Sequence, residues 1–114
     1  MTGKMRRRKL EKLKIFISIP MKGLSDEEIK KNFDDIKYSL RLKYEDQYEV
    51  EFLDSFVSEK CPAKNEPVWY LGKSLEVLAD ADIAYFAKGW NKAKGCRIEN
   101  QAAYAYDITC IEVW

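Results

Sequence analysis

Apolar positions along the chain change period several times, and each change marks an element. Ile15-Phe16-Ile17-Ser18-Ile19 is a short β-branched and aromatic run closed by Pro20 and Gly23, the pattern of a buried strand and its exit loop. From Ser25 the spacing becomes helical, with Ile29, Phe33, Ile36 and Leu40 separated by charged residues as far as about Tyr44. Ser25 followed by Glu28 gives that helix the signature of a capping box. Residues 48–53 alternate (Tyr-Glu-Val-Glu-Phe-Leu) and predict a second strand. A loop is expected over 54–66, which holds Pro62, Lys64 and Asn65. Pro67 suits the first turn of a second helix, whose apolar face is Trp69, Leu71, Leu75 and Leu78. Residues 82–87 predict a third strand, and the glycine-bearing loop Lys88–Gly95 leads to a third helix over 96–106. Residues 108–113 predict a fourth strand.

The order β-α-β-α-β-α-β defines an α/β fold: a small, doubly wound parallel sheet of four strands with helices on both faces. Parallel neighbours need crossovers, and these are right-handed. Ligands of such sheets bind beyond the carboxyl ends of the strands, where the strand order reverses. The loops Pro20–Gly23 and Lys88–Gly95 are therefore the expected walls of a site.

Composition narrows the chemistry. The 114 residues and 13.4 kDa suit one domain, and the 46% apolar, 34% charged balance is that of a soluble globule. No apolar run approaches the roughly 20 residues of a membrane span, so no membrane role is expected. Histidine is absent, which excludes imidazole catalysis and His-ligated zinc. Three cysteines without a CxxC spacing fit a reducing cytoplasm and no metal site. The first fourteen residues hold seven basic side chains and one acid, leaving 13 basic against 18 acidic residues elsewhere, a net −5. Residues 1–13 thus read as a basic extension and 14–114 as the single domain. An acidic body argues against a broad nucleic-acid surface, and the extension reads chiefly as a solubilising tail.

The phosphate fingerprints GxGxxG and GxxxxGK[ST] are missing. What remains is Gly89-Trp90 followed by Gly95-Cys96-Arg97-Ile98-Glu99, a glycine loop opening a helix whose free N–H groups attract anions. Glu99 is expected in the first turn, facing that mouth. Trp90 could stack on a base or pack in the core. Cys96 reads as a small residue permitting close approach. Asp80 and Asp82 read as turn residues rather than metal ligands.

These segments together resemble the nucleoside 2-deoxyribosyltransferase superfamily: IFISIPMKG, LADADIAYFAKGW and KGCRIENQAAYAYDITCI. The nearest pattern is that of a small branch common in phages, prophages and gut bacteria, with an ISGPM loop, a GW strand exit and a G-C/A-x-x-E helix start. The resemblance spans about residues 14–113 and implies the strand order 2-1-3-4. It implies an N-glycosidase or deoxyribosyltransferase without a cofactor, in which Glu99 is the nucleophile that attacks the anomeric carbon and expels the base. A carboxylate ionised at neutral pH suits that step, and the helix dipole with Lys94 is expected to keep it charged. The site would draw on Ser18, Pro20, Met21, Lys22, Gly23, Ser74, Gly89, Trp90, Lys94, Gly95 and Cys96. A nucleoside or nucleotide is the implied ligand, and a homo-oligomer the implied assembly.

Three positions depart from the family pattern. Ile19 stands where the branch has glycine, Ser74 where the transferases have an acid, and Lys94 where they have aspartate. Ser74 cannot protonate a departing base as a carboxylic acid does, while Lys94 favours a phosphorylated ligand unless it is a solvated loop charge. A binding module that keeps the pocket without the chemistry therefore stands beside the enzyme. Nucleic-acid binding through the basic extension is a third reading.

Overall fold

A computed structural model describes residues 10–53 and 59–114; the remainder of the basic extension and residues 54–58 of the expected loop lie outside the described residues. The elements follow the expected order: β1 (Glu11–Ser18), α1 (Asp26–Tyr44), β2 (Tyr48–Leu53), α2 (Glu66–Leu78), β3 (Ile83–Phe86), a 3-10 turn (Trp90–Lys92), α3 (Lys94–Ala105) and β4 (Thr109–Glu112). The four strands form one all-parallel sheet in the order β2-β1-β3-β4.

β1 lies in the middle and is buried on both faces. Leu13, Ile15, Ile17 and Ile19 point to one layer with Leu40 of α1, against which Ile29, Phe33 and Ile36 pack. Phe16 points to the other, with Leu78 of α2 and Cys96 and Ala103 of α3. This two-sided burial explains why β1 reads as a near-continuous apolar run rather than an alternation.

β1 begins at Glu11, four residues before the apolar run, and so takes in the end of the basic head. Backbone pairing sets that start, with Glu11 to Lys14 in register with Tyr48 to Glu51 of β2. A clamp fixes it: the Asp82 carboxylate accepts the Lys14 backbone N–H at 2.8 Å, and Asp80 pairs with Lys14 Nζ at 2.8 Å. The two aspartates, read from sequence as turn residues, thus tie the amino end of β3 to β1. They stand at the opposite end of the sheet from the loops expected to bind ligand.

The helix starts follow local chemistry. Ser25 Oγ accepts the Glu28 N–H, and the Glu28 carboxylate accepts the Ser25 N–H, both at 3.1 Å, which completes the expected capping box. The Asn65 side chain caps α2 by accepting the Val68 N–H, with Pro67 in the first turn. α3 has no side-chain cap and starts at Lys94, two residues before the expected position.

α1 carries the chain from β1 to β2 on one face, and α2 carries it back past β1 to β3 on the other. The order therefore reverses between β1 and β3, where Ser18 and Phe86 are register partners at the carboxyl ends.

Phe86 is fully buried, whereas Ser25 is exposed. Urea denaturation is expected to show Phe86→Ala losing about 3–5 kcal/mol and Ser25→Ala about 1 kcal/mol. Equal losses would contradict this account of the core.

Candidate functional site

Glu99 is the centre of the site. It lies in the second turn of α3 rather than the first, because the helix starts at Lys94. Cys96, Glu99 and Ala103 share the buried face of α3 at spacings of three and four, so Glu99 is turned inward and is only 8% exposed. Ser18, the last residue of β1 and 4% exposed, donates its hydroxyl to Glu99 Oε1 at 2.7 Å. Eighty-one positions of sequence separate the pair. The parallel sheet brings them together by placing the end of β1 beneath α3.

Burial pushes the Glu99 carboxyl above its ordinary value of 4.5, and hydrogen bonds from Ser18 and Ser74 partly offset the rise. The shift runs opposite to the direction expected from the helix dipole and Lys94. Lys94 is exposed at the first position of α3, and a side chain in the second turn gains little from the dipole. Cys96 is also buried, and its thiol is pushed up by desolvation, with hydrogen bonding to Ser18 acting the other way and the charge of Glu99 raising it. The cluster is thus a carboxyl, a thiol and two hydroxyls, of which the Ser18, Cys96 and Glu99 side chains are buried and Ser74 is half-buried. Among the described residues no group of metal ligands is assembled.

The remaining expected residues lie on the loops after β1 and β3, on α2 and at the start of α3. Met21 (48% exposed), Lys22 and Gly23 lie in a turn closed by the Leu24 N–H on the Met21 carbonyl. Gly89 adopts a φ of +90°, and a Cβ there would stand 3.4 Å from Pro20 Cγ. The loops after β1 and β3 therefore come together at Pro20 and Gly89, and it is the backbone conformation at Gly89 that requires glycine, since a Cβ there would make only an ordinary contact with Pro20. The Ala87 N–H donates to the Ser18 carbonyl at 2.9 Å, stitching the same junction. Ser74 is half-buried on α2, and Gly95 is exposed beside Lys94.

Trp90 packs in the core with its ring centroid 5.8 Å from Phe86 and 5.0 Å from Trp114. Among the described residues its buried indole N–H meets no hydrogen-bond acceptor. Sequence reasoning missed the Trp90–Trp114 contact, since two indoles from separate elements carry no spacing signal. It also missed the Asp80–Lys14–Asp82 clamp, because nothing local links the ends of β1 and β3.

The sign of the Glu99 shift fixes a stability trend. A carboxyl whose pKa is raised by folding favours the native state below its unfolded value, and that advantage fades as pH rises through the native value. Glu99→Gln cannot ionise. The stability of the variant relative to wild type is expected to improve as pH rises from about 4 and to level off above the native pKa, as read by denaturant melts. A constant difference, or the reverse slope, would contradict a Glu99 carboxyl whose pKa is raised by burial.

A scan against protein-family models, a search of curated proteins and a search of solved structures each return no match to this chain.

Proposed function

We propose that the chain cleaves or transfers the N-glycosidic bond of a nucleoside or nucleotide, with Glu99 as the nucleophile, as its resemblance to the nucleoside 2-deoxyribosyltransferase superfamily implies. The observation that carries this reading is the buried Ser18–Glu99 pair at the carboxyl end of β1, beside the point where the strand order reverses. In the forward step a Glu99 carboxylate oxygen bonds to the anomeric carbon as the carbon–nitrogen bond breaks, and the bonding pair leaves with the base. Water or a second base then displaces the sugar from Glu99 and regenerates the carboxylate. The Ser18 hydroxyl holds Oε1 and so orients the carboxyl. Desolvation makes the ionised carboxylate a stronger nucleophile, at the cost of a smaller ionised fraction at low pH.

Ser74 can donate a hydrogen bond but is no acid at neutral pH. The departing base must draw its proton from solvent or leave as an anion, which favours substrates with a good leaving base. Lys22 and Lys94, both exposed on loops or helix starts at this end, suit the phosphate of a nucleotide better than a bare nucleoside. The reaction needs no cofactor.

The burial of Glu99 supports a second reading. A carboxyl that keeps its proton is a hydrogen-bond donor, and a pocket built around it can recognise a nucleotide without turning it over.

Base release from a panel of nucleosides and nucleoside monophosphates separates the two. The enzyme reading predicts turnover by wild type, with activity rising through a pKa above 4.5, and a loss of at least about 1,000-fold in Glu99→Gln, equivalent to about 4 kcal/mol of barrier. Equal turnover by both proteins would remove Glu99 from the mechanism. Nucleotide-dependent stabilisation of both, without base release by either, would establish the binding module.

A further inference from the structure

Successive residues of α3 reach opposite sides of the strand beneath it. Glu99 meets Ser18 of β1, and the next residue, Asn100, donates its side-chain amide N–H to Glu112 Oε2 of β4 at 3.0 Å. The two anchors belong to one row of the sheet, because Phe86 of β3 is the register partner of both Ser18 and Glu112. Neighbouring strands are about 4.8 Å apart, which sets Ser18 and Glu112 roughly 10 Å from each other, close to the width of a helix. Adjacent residues of a helix are rotated by about 100°, so Glu99 and Asn100 leave α3 on its two flanks. One reaches the strand on one side of β3, and the other reaches the strand on the far side.

Little else fixes the rotation of this helix about its axis. α3 starts without a side-chain cap, and the side chains it buries besides Glu99 are the small Cys96 and Ala103. Side chains that short make few contacts, so packing alone holds the helix weakly against turning. Hydrogen bonds on both flanks act differently, because turning in either sense carries one of the two side chains away from its anchor. Such bonds weaken steeply once their geometry is lost. Glu112 is half-buried at the end of an edge strand, and among the described residues no basic side chain pairs with it. Its effect on Glu99 is one of position rather than charge. Burial, Ser18 of β1 and Ser74 of α2 are what shift the Glu99 carboxyl, and the Glu99 charge acts on Cys96 of its own helix. The Glu112 charge acts instead on Cys110 of β4.

We propose that Asn100 and Glu112 are positioning residues: their hydrogen bond sets the rotation of α3 and thereby holds the Glu99 carboxyl on the Ser18 hydroxyl. The placement is a property of the fold, and only its consequence for base release rests on the proposed reaction.

A titration of the full chain that reads the Ser18–Glu99 contact, with no substrate present, tests the proposal. Carbon-13 NMR follows the Glu99 side-chain carboxyl with and without Ser18→Ala, in wild type and in each variant below. In wild type Ser18→Ala is expected to raise the midpoint, because the hydroxyl stabilises the ionised form. In Asn100→Ala and in Glu112→Ala that rise is expected to shrink to about half or less, the mark of sites coupled through one helix. Glu112→Gln keeps a carbonyl oxygen that accepts the Asn100 N–H, and it should retain the full rise. Ser25→Ala, which removes the cap of α1 on the other face of the sheet, should retain it too. Circular dichroism confirms that each variant is folded. An undiminished rise in either folded alanine variant at Asn100 or Glu112 would overturn the proposal. So would the absence of any rise in wild type, or an equal loss in Glu112→Gln or Ser25→Ala, which would mark general loosening. Absence of base release bears on the proposed reaction alone, since the titration does not depend on turnover.

Discussion

A carboxyl group taken out of water beneath a helix must keep its proton or be met by donors, and the architecture around Glu99 reflects that constraint. Ser18 supplies the donor at 2.7 Å, and it can do so only from the end of a central strand buried on both faces. The parallel order β2-β1-β3-β4 puts Ser18 there, and α3 delivers Glu99 from above. Moving either element would leave a buried polar group alone, at a cost of about 1–3 kcal/mol. The tie between sheet and helix is therefore structural as well as chemical.

The same arrangement shapes what the site can do. Holding Oε1 orients the carboxyl, and drying the crevice raises both its proton affinity and, once ionised, its nucleophilicity. These tendencies oppose one another at low pH and cooperate at higher pH. The loops after β1 and β3 come together at Pro20 and Gly89, and Met21, Lys22 and Lys94 are exposed.

Much of the architecture was legible in the residues. The β-branched run ending at Ser18-Ile19-Pro20, the Ser25–Glu28 box and the helical spacing from Ile29 to Leu40 are local signals, and local physics decides them. The start of β1 was not legible, because Glu11 to Lys14 are strand residues through pairing with β2 and the Asp82 clamp rather than through their own hydrophobicity. Glu99 could be singled out by its position after Gly95, but not its burial. A helix start two residues earlier turned it from the helix mouth to the core and reversed the direction expected for its pKa. Trp90 gave no sign from its neighbours of packing against Trp114. Each difference arises where distant segments meet, and spacing along one segment carries no information about such contacts.

The protonation of the Glu99 carboxyl can be observed directly. A carbon-13 NMR titration following the Glu99 side-chain carboxyl should give a midpoint above the ordinary 4.5. Ser18→Ala should raise that midpoint further, because the hydroxyl stabilises the ionised form. A Glu99 midpoint at or below 4.5, or one that Ser18→Ala leaves unmoved, would contradict the buried hydrogen-bonded carboxyl on which the account rests.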